Sequence, residues 1–453
     1  MTVLDILSLD FTGQLQLIER GELLPDELIQ MQLKYNQQLN PVINAFIAID
    51  EQPPLIKDAL PLSGVSIAVK DNIDVLGFNT TAGMLTRKNS QAKDDAFVIK
   101  KLKAAGANIN GKLNMHEGAL GATNDNPHYG KCLNPHLLSH TPGGSSGGSG
   151  ASVAAAMTPM ALGSDTMGSV RIPAAYCGVF GLKASTGAIS IGGSVVCSHQ
   201  LDHIGPITRS ARDLRLALDY MNGYDADCKQ SKIIKFKAEQ AVYNIAAPSN
   251  LAELGVDTDI ITTFEQQLTL LVQAGHQITR FILEFDFAAA RRAGLLICEA
   301  DMLVEHKNDF NHRPELFSKQ LYAMLTFVKG KDQAAIDKAK AVISRAGVLA
   351  NQLFEQADIL VMPTAPQTAF NFTDKVPANQ ADLTSFANLA ELAALTAPMP
   401  TKGLPIGIQF VGEEGSDYQL IGLAEQYQIL SNWQFSLPQP IVDLLSINAK
   451  EAS

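Results

Sequence analysis

The sequence predicts an α/β protein. Short apolar or β-branched runs, such as Val65–Val69 and "DILVMPTAP" (Asp358–Pro366), have the length and residue types of buried strands. Between them lie stretches with apolar residues at helical spacing, closed by glycine. The two patterns alternate along the chain, which is the rhythm of an α/β fold. No break in composition marks a domain boundary.

Residues 1–60 read as mainly helical. In "LLPDELIQMQLKYNQQLN", Pro25 stands at a helix start with Asp26 and Glu27 in the first turn, and Leu24, Leu28, Met31 and Tyr35 share a face. "PVINAFIAID" reads as a short buried strand. "GVSIAVKDNIDV" (Gly64–Val75) holds the strand Val65–Val69, which ends on Lys70 and Asp71. "AFVIKKLKAAGANINGKLN" reads as a helix closed by Gly106, then a strand. "ASVAAAMTPMALGSD" opens with a small-residue helix. "TRSARDLRLALDYMNG" is a helix with Ser210 and Asp213 as a capping pair, Leu214, Leu218 and Met221 on one face, and Gly223 at its stop. Farther on, "AVYNIAAP" is a strand and "DTDIITTFEQQLTLLVQAG" a helix ending at Gly275. A long, mainly helical stretch runs on to Gln356. "DILVMPTAP" and "GLPIGIQFVG" (Gly403–Gly412) are strands, and "YQLIGLAEQYQIL" is the last helix.

With 453 residues, 46% hydrophobic and 18% charged, the chain has enough apolar material for a large core. The net charge of −11 repels a phosphate backbone, which argues against a nucleic-acid partner. Five cysteines (Cys132, Cys177, Cys197, Cys228 and Cys298) form no CxxC pair and read as reduced thiols of a cytoplasmic protein. "MTVLDILSLD" lacks the basic start of a signal peptide. No run of about 18 apolar residues predicts a membrane span.

The stretch "HTPGGSSGGSGASVAAA" (His140–Ala156) admits four readings. A flexible linker needs polar flanks, and the segment after it is Ala/Val/Met-rich. A phosphate loop needs Lys after the second glycine of Gly143 and Gly148, and Ser149 stands there. Glycines that allow tight packing at a helix start are a third reading. The fourth is an active-site loop presenting Ser145 and Ser146 on a stiff frame.

Downstream, Asp165-Thr166-Met167-Gly168-Ser169 forms a polar turn between apolar flanks. A serine after glycine in a tight turn exposes its hydroxyl while backbone N–H groups converge, as an oxyanion hole requires. Serine still needs a base. His116, His128, His136, His140 and His203 fit no triad spacing, no G-x-S-x-G surrounds Ser169, and "MHEGALG" is not HExxH. Lys70 is the better candidate. At a strand end in an apolar core it loses solvation, which frees its lone pair, and Ser–Lys pairs are a variant of triad logic. A solvated surface charge is the alternative.

The run from "GVSIAVKDN" through "GKLNMHEGALGATNDNPHYGKCLNPHLLSHTPGGSSGGSGASVAAA" to "ALGSDTMGSVRIPAAYCGVFGLKASTGAIS" resembles the amidase signature family. "LDHIGPITRSARDL", "DILVMPTAP" and "GLPIGIQFVG" extend the resemblance in the same order. It implies a single large α/β domain over 1–453, with a mixed central β-sheet covered by helices on both sides. Within it lie an N-terminal helical segment (1–60), a signature core (61–223), a mainly helical variable region (224–350) and a C-terminal return to the sheet (351–453).

The resemblance also implies roles. Lys70 of "AVKD" is the base, Ser145 of "GGSSGG" a serine held by a cis peptide, and Ser169, at the family's "DTGGS", the nucleophile. Neutral Lys70 takes a proton through Ser145, Ser169 attacks an amide carbonyl, and the N–H groups of Thr166, Met167 and Gly168 receive the oxyanion. Water hydrolyses the acyl-enzyme by the same relay, with no cofactor and no metal. The chain departs from the family at Met167, where Gly is common, and at Glu391 and Ala393 in "NLAELAAL", where Gly and Pro are common. A Cβ at 167 would hinder a positive φ. Glu391 reads as an exposed helix charge and Cys177 as a buried structural thiol.

The function expected on these grounds is a stand-alone amidase. It would release ammonia or an amine from a small-molecule carboxamide, with no nucleic-acid or membrane partner and a homodimer allowed. The alternative is an A-type subunit of a tRNA-dependent amidotransferase, producing ammonia for a partner complex. Against it stand His116, where such subunits usually carry an acid, the lack of a recognisable Tyr/Gly/Arg segment in the second half, and the acidic charge. A binding protein on the same scaffold conflicts with the presence of all three reactive residues. Longer hydrolases of allophanate type carry an additional C-terminal domain.

Overall fold

A computed structural model describes residues 1–53, 56 and 60–451. Residues 54, 55 and 57–59, which fall in the segment expected to be helical, lie outside the described residues. In chain order the strands are β1 (Phe46–Ile49), β2 (Ser66–Lys70), β3 (Asn108–Leu113), the hairpin pair β4 (Asp125–Asn126) and β5 (Gly130–Lys131), β6 (Met160–Asp165), β7 (Phe180–Lys183), β8 (His203–Thr208), β9 (Asn244–Pro248), β10 (Gln277–Phe281), β11 (Ile359–Pro363), β12 (Ala393–Met399) and β13 (Ile406–Gly412). All but the hairpin join one eleven-stranded sheet in the order β1-β3-β2-β6-β8-β7-β12-β13-β11-β9-β10. Parallel pairs near the two ends (β2 with β3 and β6, β9 with β10 and β11) flank an antiparallel run from β6 to β11, so the sheet is mixed.

Helices lie over this sheet, and the central strands are buried along their whole length: β2, β6, β7, β8, β11, β12 and β13 have no exposed residue. That is why they read as continuous apolar runs rather than alternating ones. A polar residue in such a strand must find a partner inside the protein. Lys70, Ser164 and Asp165 are three of these, and all lie on the adjacent strands β2 and β6.

Local signals in the sequence correspond to real boundaries. Pro25 opens the helix Pro25–Ile43, and Ser210 accepts the Asp213 N–H at the start of Ala211–Met221. Gly106, at φ +96°, follows the helix Phe97–Ala104. Some expectations fail in detail. Leu24 is exposed because it caps its helix rather than joining the apolar face. "PVINAFIAID" is only partly a strand: Pro41–Ile43 still belong to the helix, and β1 is a half-buried edge. The stretch after Gly275, read as helical, begins with the edge strand β10, whose mostly exposed side chains give no apolar signal. No helix among the described residues is long and apolar enough to cross a membrane.

The linker reading of the Gly/Ser stretch is wrong. Every residue from Thr141 to Ala156 is buried, and Gly147–Ala154 is a helix packed on β6. The glycines allow close approach. A Cβ on Gly148 would run into the backbone oxygens of Asn114 and Ala45. Gly148→Ala should therefore cost about 1–3 kcal/mol or more by overpacking, read as a lower urea midpoint with an unchanged slope.

Candidate active site

The sheet delivers Lys70 from the end of β2, next to the end of β6. The side chain is wholly buried, and its Nζ lies 2.7 Å from Ser145 Oγ and 2.8 Å from Ser164 Oγ. Asn72 Nδ2 also donates to Ser164 Oγ, at 3.1 Å. Burial pushes the ammonium pKa down to about 7, against the pull of Asp202, Cys197 and Asp165. A substantial fraction of Lys70 is therefore neutral near pH 7 and able to accept a proton. The peptide bond Gly144–Ser145 is cis, and Ser145 C=O accepts the His116 N–H at 3.0 Å.

Ser169 sits at the far side of the polar turn, with 9% of its surface exposed to a cavity of about 390 Å³. Its carbonyl accepts the Ser146 N–H at 3.3 Å, which ties the two serine loops together. Among the described residues its hydroxyl has no hydrogen-bond partner, and the link from Ser145 Oγ to Ser169 Oγ is not closed. Such contacts often tighten only when substrate binds. Lys70 and Ser145 are thus joined directly, and Ser169 is joined to them through backbone.

The turn itself is built on Asp165. Its carboxylate accepts the N–H groups of Gly168 (2.7 Å) and Val170 (3.2 Å), Arg171 Nε (3.0 Å) and Asn388 Nδ2 (2.9 Å). Arg171 in turn donates to Asn388 Oδ1 at 2.6 Å and Gln409 Oε1 at 3.2 Å. The Arg171 charge and these hydrogen bonds overcome the penalty of burial and hold the Asp165 carboxyl well below its usual range. Gly168 takes φ +122°, which only glycine adopts readily, while Met167 does not need a positive φ. The Cβ of Met167 is therefore accommodated without backbone conflict. The Gly168 N–H, expected to face the oxyanion, is already donated to Asp165. The N–H groups of Thr166, Met167 and Ser169 have no acceptor among the described residues.

His116, Thr166, Met167, Ile172, Cys197, Arg291 and Cys298 share the cavity wall with Ser169. His116 is neutral: burial, and secondarily Lys70, push it down to about 4. Among the described residues no other histidine joins Ser145 or Ser169. His128 binds Glu117 (2.9 Å) and His136 binds the Cys177 carbonyl (3.0 Å). His203 lies beneath the turn, with Nε2 3.2 Å from the buried Lys183. Cys177 is buried and donates to Pro142 O. Glu391 is exposed in a turn at φ +57°, beyond the end of its helix. No group of three or more His, Cys, Asp or Glu among the described residues could hold a metal.

The Amidase family model matches residues 35–421. The chain belongs to the Amidase family. Among its relatives, the A subunit of the glutamyl-tRNA(Gln) amidotransferase of Thermus thermophilus is 34% identical over 91% of this chain and 95% of that protein. The crystal structure of the corresponding A subunit from Thermotoga maritima superposes with a TM-score of 0.86 at 30% identity, covering 96% of this chain and 98% of that one. The substrate complex of 6-aminohexanoate cyclic dimer hydrolase is similar in fold (TM-score 0.85, 25% identity, 96% and 99% covered). The single α/β domain with a mixed sheet is therefore the Amidase fold.

These relatives overturn the stand-alone amidase reading, and with it the partner set of a small-molecule amide and no nucleic acid. Their names attach nearly full-length counterparts of this chain to a tRNA-directed enzyme of several subunits. The stand-alone reading gave weight to His116, to one missing segment and to net charge. Net charge is a chain average, and one member of an assembly need not itself present the surface that meets a polyanion.

Sequence reasoning missed Ser164, Asp202, Arg291, Asn388 and Gln409. Only Ser164 had a signal, as a hydroxyl inside an apolar strand.

The Asp165–Arg171 pair is fully buried. Arg171→Leu leaves the carboxylate without its charge partner and should cost about 3–5 kcal/mol at pH 7, measured by urea unfolding. Because the folded carboxyl titrates low, the wild-type contribution is complete above roughly pH 3.9 and fades as pH falls below it. The gap between wild type and variant should narrow correspondingly in acid.

Proposed function

We propose that this chain is an A-type subunit of a tRNA-dependent amidotransferase, which hydrolyses a donor amide and passes the ammonia to a partner complex. The observation that carries the proposal is the likeness to A-type subunits over nearly the whole of both chains. The work of such a complex on tRNA belongs in the cytoplasm.

The site supports the chemistry this requires. Lys70, in the fraction that its depressed pKa leaves neutral, draws the proton of Ser145, and Ser145 draws that of Ser169. Ser169 Oγ then attacks the amide carbonyl. The N–H groups of Thr166 and Met167, with that of Ser169, receive the charge that develops on oxygen, a contribution worth roughly 10²–10³ in rate per donor. Gly168 serves by its backbone conformation, which turns the chain so that these groups converge. The Lys70–Ser145 pair returns the proton to the departing nitrogen, which leaves as ammonia. Water repeats the relay to free the acyl group. Arg291, paired with Asp382, is the fixed cation of the cavity wall among the described residues and suits a donor amide that also bears a carboxylate.

Two measurements test this. Co-expression with the other amidotransferase subunits should give a complex that co-elutes and amidates glutamyl-tRNA, with both ammonia release and amidation lost in Ser169→Ala. A chain that elutes alone and leaves the charged tRNA unchanged in that mixture refutes the proposal. Acylation of Ser169 should increase with pH along a limb centred near 7, where Lys70 loses its proton, and Lys70→Ala should abolish that limb in single-turnover kinetics.

A further inference from the structure

Met167 stands where the turn would work with a smaller residue, yet the structure holds it at both ends. Its carbonyl accepts Thr384 Oγ1 at 2.9 Å. Its sulfur lies over Gly294 of the helix Phe287–Glu305, where an added Cβ would come within 2.5 Å of Sδ. Thr384 also fills the space beside Gly168 that a Cβ would need. Between these anchors the Met167 N–H has no acceptor among the described residues.

We infer that Met167 is a positioning latch: Gly294 and Thr384 grip it from two separate helices and so set the direction of its N–H toward the reacting oxygen. This rests on the oxyanion role given above to the Met167 N–H. The helix Phe287–Glu305 makes no sheet hydrogen bonds, so its placement reaches the reactive turn through side chains. A shift there of the order of 1 Å misaims the donor, and misplacement of that size can cost up to ~10²-fold in rate. A glycine at 167 would have no side chain for the notch at Gly294 to hold.

A serine-reactive fluorophosphonate tests the latch without knowledge of the donor amide. Ser169 Oγ forms a bond to phosphorus, the P–F bond breaks, fluoride leaves, and the hydroxyl proton passes to the Lys70–Ser145 pair. The phosphoryl oxygen occupies the oxyanion position, so the labelling rate at Ser169, followed by intact mass, reports on the donors. Gly294→Ala should slow labelling roughly 10-fold, and Met167→Ala added to it should restore the rate to within about 3-fold of wild type. Thr384→Val should slow it in the same direction, which keeps the test decisive if Gly294→Ala fails to fold. Full-speed labelling of Gly294→Ala, or a double variant no faster than Gly294→Ala alone, overturns the latch. If wild-type Ser169 is not labelled at all, the proposed chemistry fails instead. The contact is then read from urea unfolding, where Gly294→Ala and Met167→Ala must be non-additive, and additivity overturns it.

Discussion

One buried carboxylate holds the turn that carries Ser169 in shape. Asp165 ends β6 and accepts two backbone N–H groups from the five residues after it, so the chain must fold back over its own strand end. Arg171 makes this tolerable by neutralising the charge, and Asn388 and Gln409 then satisfy what remains of the guanidinium. The last two residues come from segments more than 200 positions away. Closing the turn therefore requires the C-terminal part of the sheet to be in place. The geometry at Ser169 is a property of the whole fold rather than of its local sequence.

The same principle operates with opposite sign at Lys70. Its nearest contacts are hydroxyls, and the nearby carboxylates only partly offset its desolvation. Asp165 is committed to Arg171, and burial raises the carboxyl of Asp202 toward its neutral form despite the Thr166 hydroxyl that donates to it. A lysine given a close, fully ionised partner would stay charged and could not act as a base. Pairing Asp165 strongly elsewhere is thus what leaves the neighbouring nitrogen free.

Much of this was legible in the sequence, for different reasons in different places. Lys70 stood out as a candidate because a lysine at the end of a β-branched strand is desolvated there, although a solvated charge was the competing reading. The Gly/Ser stretch was ambiguous alone, and its apolar sequel pointed to packing rather than freedom. Roles for Lys70, Ser145 and Ser169 could be suggested only through resemblance. Ser164 is the exception among the supporting groups, a lone hydroxyl inside "ALGSD". Asn388, Gln409 and Arg291 were invisible, because each is an ordinary polar residue until the fold brings it to Asp165 or to the cavity. β10 escaped notice because its exposed side chains erase the apolar pattern. The functional assignment failed because it rested on one residue, His116, and one unrecognised segment, with the net charge, a global average, added to judge a property that belongs to an assembly.

The helix that shares the cavity wall with Ser169 is fastened differently from the strands of the sheet. The helix Phe287–Glu305 packs a buried face on neighbouring helices, and it meets the Ser169 turn and the adjoining loops through discrete contacts: the Met167 sulfur at Gly294, Asp301 receiving the Ser198 hydroxyl and the His199 N–H, and Arg291 meeting Asp382. Strands in the middle of the sheet cannot be exchanged without tearing a ladder, whereas the cavity-facing side chains of this helix carry no backbone pairing with the sheet. A scaffold so divided can hold the strand ends that carry Lys70 and Asp165 fixed while side chains on a neighbouring helix change the outline of the cavity beside them.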